Sequence, residues 1–374
     1  GIDNFLDDDD DGDGIPSSYE IAALAASCDP TPDPLPDFDN DGDPDFLDTD
    51  SDGDGHLDVD EMAVNTDGDS CDDYLDLDSD DDEVADIDEI KQDLDGDSLV
   101  DRVDIDDDGD GIRTQYEDDG FVNPTAYDSD ADGIVNYLDT DDDDDLVPTA
   151  IEVGKTPGNP LIPPSQWPNT DLDLESSTGI LGDNVPDHLD TDDDNDGELT
   201  ETEDPSGNSL PEDDDTDQDG VANFLDADDD GDGILTINEL AIQRSYDDDG
   251  IDNHLDCDSD NDGWYDADET GSNGELFDSD GVAPPDFGDL DSDGDSIPDA
   301  IEGTSPYNAN PPAPCDVVPD EDGPIDTDGD GIIDRLDLDD DGDQIPTLTE
   351  FHEVGATEAL GSDYDGDGID DYID

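Results

Sequence analysis

The apolar residues of this chain recur at fixed places within a repeating acidic frame. Of ten units, nine carry a leucine-like residue fourteen positions before a glutamate, as Leu47 before Glu61 and Leu225 before Glu239, and the other holds Gly288 there. The slot just ahead of it is aromatic at Phe5, Phe46, Tyr74 and Tyr137 and holds His188 and His254 elsewhere. A second apolar residue follows inside the frame, at Ile15, Val84, Ile112, Val147, Ile234, Trp264, Ile297 and Ile345. Short helical turns are predicted after some of the acidic stretches, as in "YEIAALAAS" and "NELAIQRS", with no helix visible ahead of them. No stretch approaches the ~20 apolar residues that cross a bilayer, so no membrane span is expected.

The acidic stretch that closes on each glutamate is spaced DxDxDxxxxxxE, and in six units it reads DxDxDGxxxxxE. This is a calcium-loop spacing: alternate side chains converge on one cation, Gly makes a sharp turn, and the distant Glu binds with both oxygens. Ten late frames carry it: Asp9, Asp11, Asp13 and Glu20; Asp50, Asp52, Asp54 and Glu61; Asp78, Asp80, Asp82 and Glu89; Asp106, Asp108, Asp110 and Glu117; Asp141, Asp143, Asp145 and Glu152; Asp192, Asp194, Asp196 and Glu203; Asp228, Asp230, Asp232 and Glu239; Asp258, Asp260, Asp262 and Glu269; Asp291, Asp293, Asp295 and Glu302; and Asp339, Asp341, Asp343 and Glu350. Composition alone does not produce that recurrence. The earlier half of each unit is a second frame of twelve that ends in Asp, two residues before the late frame starts. Good early frames supply Asp37, Asp39, Asp41 and Asp48; Asp93, Asp95, Asp97 and Asp104; Asp128, Asp130, Asp132 and Asp139; Asp215, Asp217, Asp219 and Asp226; Asp326, Asp328, Asp330 and Asp337; and Asp363, Asp365, Asp367 and Asp374. Worn early frames, with one or more early Asp missing or displaced, precede Leu75, Leu189, Leu255 and Gly288. Six good early frames and ten late ones imply calcium as the cofactor, with about sixteen ions or more.

The array fills residues 1–374, with units at 1–27, 37–64, 65–92, 93–120, 128–155, 179–204, 213–243, 245–270, 278–303 and 326–354, and a half-unit at 363–374. Pro-rich inserts at 28–36, 156–170, 205–211 and 304–325 are expected to act as stiff extended spacers or lateral contact surfaces. Trp167, in the second, is expected to be a packing residue rather than a sugar platform. Gly1–Asp7 aligns in phase with Gly368–Asp374, which reads as a piece cut from, or joined to, a longer series.

Charge sharpens this picture. The 374 residues hold 126 acidic and 6 basic side chains, a net charge of -120, with 29% apolar residues and 5% aromatic. Such self-repulsion excludes nucleic acid as a partner and would leave an unphased chain disordered. Phased aspartates instead ask for cations. Four cysteines, Cys28, Cys71, Cys257 and Cys315, show no CxxC spacing, so a zinc or thioredoxin-like site is disfavoured. Pairing between neighbouring units (Cys28 with Cys71, Cys257 with Cys315), the other connectivities and free thiols all remain open.

Strings such as "DTDGDGIIDRLDLDDDGDQIPTLTE" resemble thrombospondin type 3 repeats in their bacterial cell-surface form, over nearly the whole chain. The resemblance implies an irregular, elongated, calcium-stabilised tandem repeat with little regular secondary structure, short helical turns and short strands, wrapped around ions in place of a conventional hydrophobic core. This chain departs from the pattern where Glu83, Leu146, Ser296 and Gln344 replace the turn Gly, and in lacking the dense cysteine pairing of animal members. An EF-hand or dockerin is disfavoured, because the apolar loop residue is seventh, not eighth, and the eighth is Pro at Pro16, Pro148, Pro298 and Pro346, which has no N–H to give a paired loop.

Enzymatic activity is not expected. His56, His188, His254 and His352 share no single repeat position and read as surface residues of the repeat; no GxSxG or GxxxxGK occurs. A glycosidase acid pair needs a carboxyl in an apolar pocket, which so polar a chain is ill equipped to build. The expected function is structural and extracellular or at the cell surface: a calcium-binding filament or stalk whose partners are copies of itself or adjoining repeats of a longer chain. A spacer in a giant surface adhesin and a soluble calcium buffer or mineral-binding protein are the alternatives.

Overall fold

The computed structural model describes residues 8–23, 36–89, 92–117, 124–155, 161–170, 185–247, 249–271, 276–303 and 325–349. Among the described residues the twelve-residue frames fold as loops, and outside the sixth unit, where the Asp187 N–H goes to the Pro168 carbonyl instead, they are closed by a backbone bond from the ninth N–H to the carbonyl of the residue before the loop. Asp58 bonds Thr49 at 3.1 Å in a late loop, and Asn223 bonds Asp214 at 3.0 Å in an early one. Early loops end in single 3-10 turns such as Asp45–Leu47, Asp101–Val103 and Asn223–Leu225. Late loops end in a turn of helix that carries the closing glutamate: Asp58–Glu61, Thr149–Glu152, Thr236–Leu240, Asp266–Glu269 and Asp299–Glu302. The longest helix among the described residues, Ser17–Ala23, has 7 residues.

The expected short strands do not form among the described residues; pairing amounts to one isolated bridge between Thr270 and Leu276. Backbone donors are used up in loop closure and in bonds to Asp side chains, which leaves no ladder to build. Low regular structure is therefore correct, and short strands are not.

The chain divides into two compact parts, Gly1–Asn169 with Val185–Thr191, and Thr170–Asn184 with Asp192–Asp374. Within each, a late loop meets the early half two units further on. In the first part Ile15 of the first unit packs with Tyr74 and Leu75 of the third, and Arg102 of the fourth reaches Glu61 of the second at 3.8 Å. In the second part Glu198 of the sixth unit pairs with His254 of the eighth at 2.9 Å. Arg335 of the tenth unit lies 4.6 Å over the Trp264 ring of the eighth and bonds Glu269 at 3.2 Å. Apolar contact, ion pair and cation–π contact thus occupy equivalent places. Buried carboxylates outnumber buried apolar side chains among the described residues.

Two expectations change here. His56, His188 and His254 are buried, not surface residues: His188 packs edge-on to Trp167 at 4.7 Å, and its proton affinity falls to about pKa 4 through burial. Residues 161–170 of one Pro-rich insert lie back on the repeat, where the Ile162 N–H donates to the Gly111 carbonyl at 3.0 Å and the Trp167 indole to the Ile162 carbonyl at 3.2 Å.

Candidate metal centres

The late loop is built by its own aspartates. The carboxylate at the third position accepts the fifth N–H, and that at the fifth accepts the seventh, as when Asp230 takes the Asp232 N–H at 3.1 Å and Asp232 takes the Ile234 N–H at 2.6 Å. The first-position carboxylate accepts the sixth N–H, as Asp106 does from Gly111 at 3.2 Å. These short side-chain bonds are what let Asp replace regular structure here. The turn at the sixth residue is left-handed whether or not it is Gly: φ is 97° at Gly233 and 79°, 82°, 85° and 79° at Glu83, Leu146, Ser296 and Gln344. The four substituted loops therefore keep the turn, at a backbone cost of about 1 kcal/mol each.

In most late loops one oxygen of the third and fifth aspartates holds the loop and the other is turned inward, while at Asp80 and Asp143 both oxygens lack a hydrogen-bond partner. Oδ2 of Asp52, Asp54, Asp108, Asp110, Asp194, Asp196, Asp230, Asp232, Asp293 and Asp295 is buried without a hydrogen-bond partner, as are both carboxylate oxygens of Glu20, Glu89, Glu117, Glu203 and Glu302. From the second unit to the ninth, the third, fifth and twelfth residues of every late loop are buried. Oxygens of Asp9, Asp11 and Asp13 lie within 4.8 Å of one another, as do those of Asp37, Asp39 and Asp41, and of Asp143, Asp145 and Glu152. Burial first, then the charges of Asp82 and Asp80, push the Glu89 carboxyl up to about 11; burial followed by the Asp232 charge does the same to Glu239.

Buried carboxylates with spare oxygens cost several kcal/mol unless a counter-charge sits among them. The donor set is all oxygen, which suits a hard divalent cation: calcium takes six to eight oxygens and tolerates irregular geometry. The residues present fit calcium on that ground.

Early loops repeat the bonding in the open. Asp97 N–H donates to Asp95 at 2.8 Å and Leu99 N–H to Asp97 at 2.7 Å, while both carboxylates are exposed. The closing aspartates do converge on their loops: burial and then the charges of Asp97 and Asp95 raise Asp104 to about 6, and Asp226 is raised to about 6 by burial with Asp217 and Asp219 beyond it. Glu350, Asp363, Asp365, Asp367 and Asp374 lie outside the described residues, as does the alignment of the two ends. The tenth late loop is more open, with Asp343 and Ile345 exposed.

Two worn early loops prove to be formed. Asp69 N–H donates to Asp67 at 2.8 Å and Asp249 to Asp247 at 2.8 Å, and the closing Asp76 and Asp256 are each raised to about 6, by burial first and by those carboxylates next. Their first position holds Asn65 or Ser245 instead of Asp; the retained third, fifth and twelfth aspartates were the available signal. The loop before Gly288 keeps Asp280 and Asp289 but has Val282 in fifth place. Cys71 and Cys257 are disulfide-bonded and are not ligands; Cys28 and Cys315 lie outside the described residues.

Residues 202–246, which run from the end of the sixth late loop through the seventh unit, match the family model described as BamM C-terminal. No curated protein matches the chain.

Proposed function

We propose that this is a calcium-binding structural protein of the cell surface, similar in kind to thrombospondin type 3 repeats, that forms or stiffens an extracellular filament or stalk. The observation that carries this reading is the set of buried Oδ2 and closing-Glu oxygens without hydrogen-bond partners, repeated unit after unit. Calcium there substitutes for an apolar interior. Extracellular calcium modules have dissociation constants near ~0.1–1 mM, and free calcium at ten times that value stabilises each site by about 1.4 kcal/mol. Successive units then form a quasi-one-dimensional series, and copies of the chain, or adjoining repeats of a longer one, are its partners.

Circular dichroism, small-angle scattering and hydrogen exchange in calcium and in chelator test this. The expected result is loss of amide protection along all units together when calcium is removed. A chain that keeps its protection in chelator overturns the reading, and one that is expanded in both conditions is a calcium buffer.

A further inference from the structure

The second and ninth residues of the late frame exchange chemistry from unit to unit. In six units the second is Asp and the ninth Ser or Thr; in the other four the second is Ser and the ninth Asp. The two always touch. Ser51 donates its N–H and hydroxyl to Asp58 at 2.8 and 2.7 Å, and in the reversed arrangement the Asp107 N–H donates to the Thr114 hydroxyl at 3.4 Å. Early frames use the same pair of positions, yet there the ninth residue is Asp in some and Asn in others: the Ser279 N–H bonds Asp286 and the Thr216 N–H bonds Asn223, at 2.8 and 2.9 Å. A hydrogen-bonded staple needs only an acceptor, and the early frames accept either. Late frames contain one carboxylate every time, on one side of the pair or the other. What they keep is the charge.

That carboxylate is turned toward the preceding unit. Oxygens of Asp13 and Glu20, in the first late loop, lie within 4.8 Å of one from Asp58 of the second, and all three residues are buried. Asp107 and Asp229 are 1% and 3% exposed, and neither oxygen of either has a hydrogen-bond partner. Three buried carboxylates at such range cannot all ionise without a cation among them.

We propose that, within each compact part, the carboxylate of this pair is a ligand to a divalent cation held by the late loop of the preceding unit, so that each such cation ties two successive units together. The proposal rests on the calcium reading above and adds where the last ligand comes from.

In the whole chain, D107S removes the carboxylate, and D107S/T114D returns it to the ninth position in the arrangement of Ser51 and Asp58. Calcium chloride is the titrant and hydrogen exchange, peptide by peptide, the readout. D107S is expected to raise the calcium needed to protect residues 78–89 about tenfold, as loss of one charged ligand does, with a smaller shift in 106–117. D107S/T114D returns 78–89 to near the wild-type concentration, and the early-loop control D286N changes nothing. A shift confined to 106–117, no shift at all, or a double variant that fails to restore 78–89 overturns the bridge. If D107S does not fold in calcium, the double variant decides by the same criterion. A wild-type chain that gains no protection from calcium anywhere overturns the calcium reading itself; a wild type that responds while D107S leaves 78–89 unmoved overturns only the bridge.

Discussion

The early and late loops share a frame and a set of backbone bonds, yet they stand in opposite surroundings. The seventh residue is Ile134, Val221 or Ile332 in early loops, 45%, 38% and 45% exposed, and Ile112, Ile234 or Ile297 in late ones, each 0% exposed. Closing carboxylates follow suit: Asp104 and Asp226 are raised to about 6, Glu89 and Glu239 to about 11, with burial the largest cause in all four. Loop sequence makes the cradle. What lies on top of it decides how much the cradle needs a cation, and only the late loops are covered, by side chains such as Tyr74 over Ile15 and Arg335 over Trp264.

The largest consequence is a reversal with pH. Without metal, the late glutamates have folded-state values near 8 to 11, as at Glu61, Glu89 and Glu302, above the usual value of 4.5. A raised folded value favours the folded form below the unfolded pKa and loses that contribution as pH rises through the folded one. The metal-free chain is therefore expected to be most ordered near pH 4 and to lose that order progressively as pH rises from about 4.5 through the folded values of about 8 to 11. Calcium inverts this, because its ligands must be ionised: the loaded chain is ordered at pH 8 and loosens on acidification. Circular dichroism against pH with and without calcium reads both arms, and parallel arms would remove the late loops from the account.

Next in size is a contrast within the seventh unit. Glu239→Gln leaves Asp230 and Asp232 buried with a weaker cation and is expected to raise the calcium needed to protect residues 228–239 at least tenfold, about 1.4 kcal/mol. Asp226→Asn, at the closing position of the more open early loop, is expected to cost roughly two- to threefold. Equal effects in site-resolved calcium titrations would mean that burial does not set the strength of these sites.

How much of this was legible in the sequence follows from the same contrast. The late frames stood out because Asp and Glu at fixed spacing are read one loop at a time. The left-handed turns at Glu83 and Leu146 were not, since nothing in those side chains favours positive φ and only the closed loop enforces it. The burial of His56 and His254 depends on contacts beyond the loop, to the Asp86 carbonyl in the next unit and to Glu198 two units back, which no local pattern reports. The short strands expected from the resemblance failed for a local reason: the aspartates had already taken the backbone donors.

A third test uses the place where the two loops touch. Gly109, fourth in its late loop, has φ +74°, and a methyl group there would come within 2.6 Å of the Asp95 side chain of the early loop. At Gly12 φ is +86° and nothing lies within 4 Å. Gly109→Ala is expected to destabilise its unit by about 2 kcal/mol, from strain and from displacement of Asp95, against about 1 kcal/mol for Gly12→Ala from strain alone. Local unfolding free energies from hydrogen exchange give both numbers, and identical losses would separate the early carboxylate from the late turn.

The smallest effect is expected of a double variant that exchanges one covering contact for another. Glu198 and His254 meet at 2.9 Å with side chains 14% and 5% exposed, in the place that Ile and an aromatic ring fill elsewhere. Burial raises Glu198, but His254, together with the Thr202 hydroxyl and the Arg244 charge, outweighs it and holds the carboxyl below its usual range. Either single change, Glu198→Ile or His254→Phe, strands a buried polar partner and is expected to cost about 2–3 kcal/mol. The double variant recreates the apolar–aromatic contact and is expected to lie within about 1 kcal/mol of the starting chain, since a well-packed apolar pair replaces a buried hydrogen-bonded polar pair at little cost. A double variant as damaged as the sum of the singles would show that the cover over the late loop works through charge at this unit, and not through the exclusion of water that the other units share.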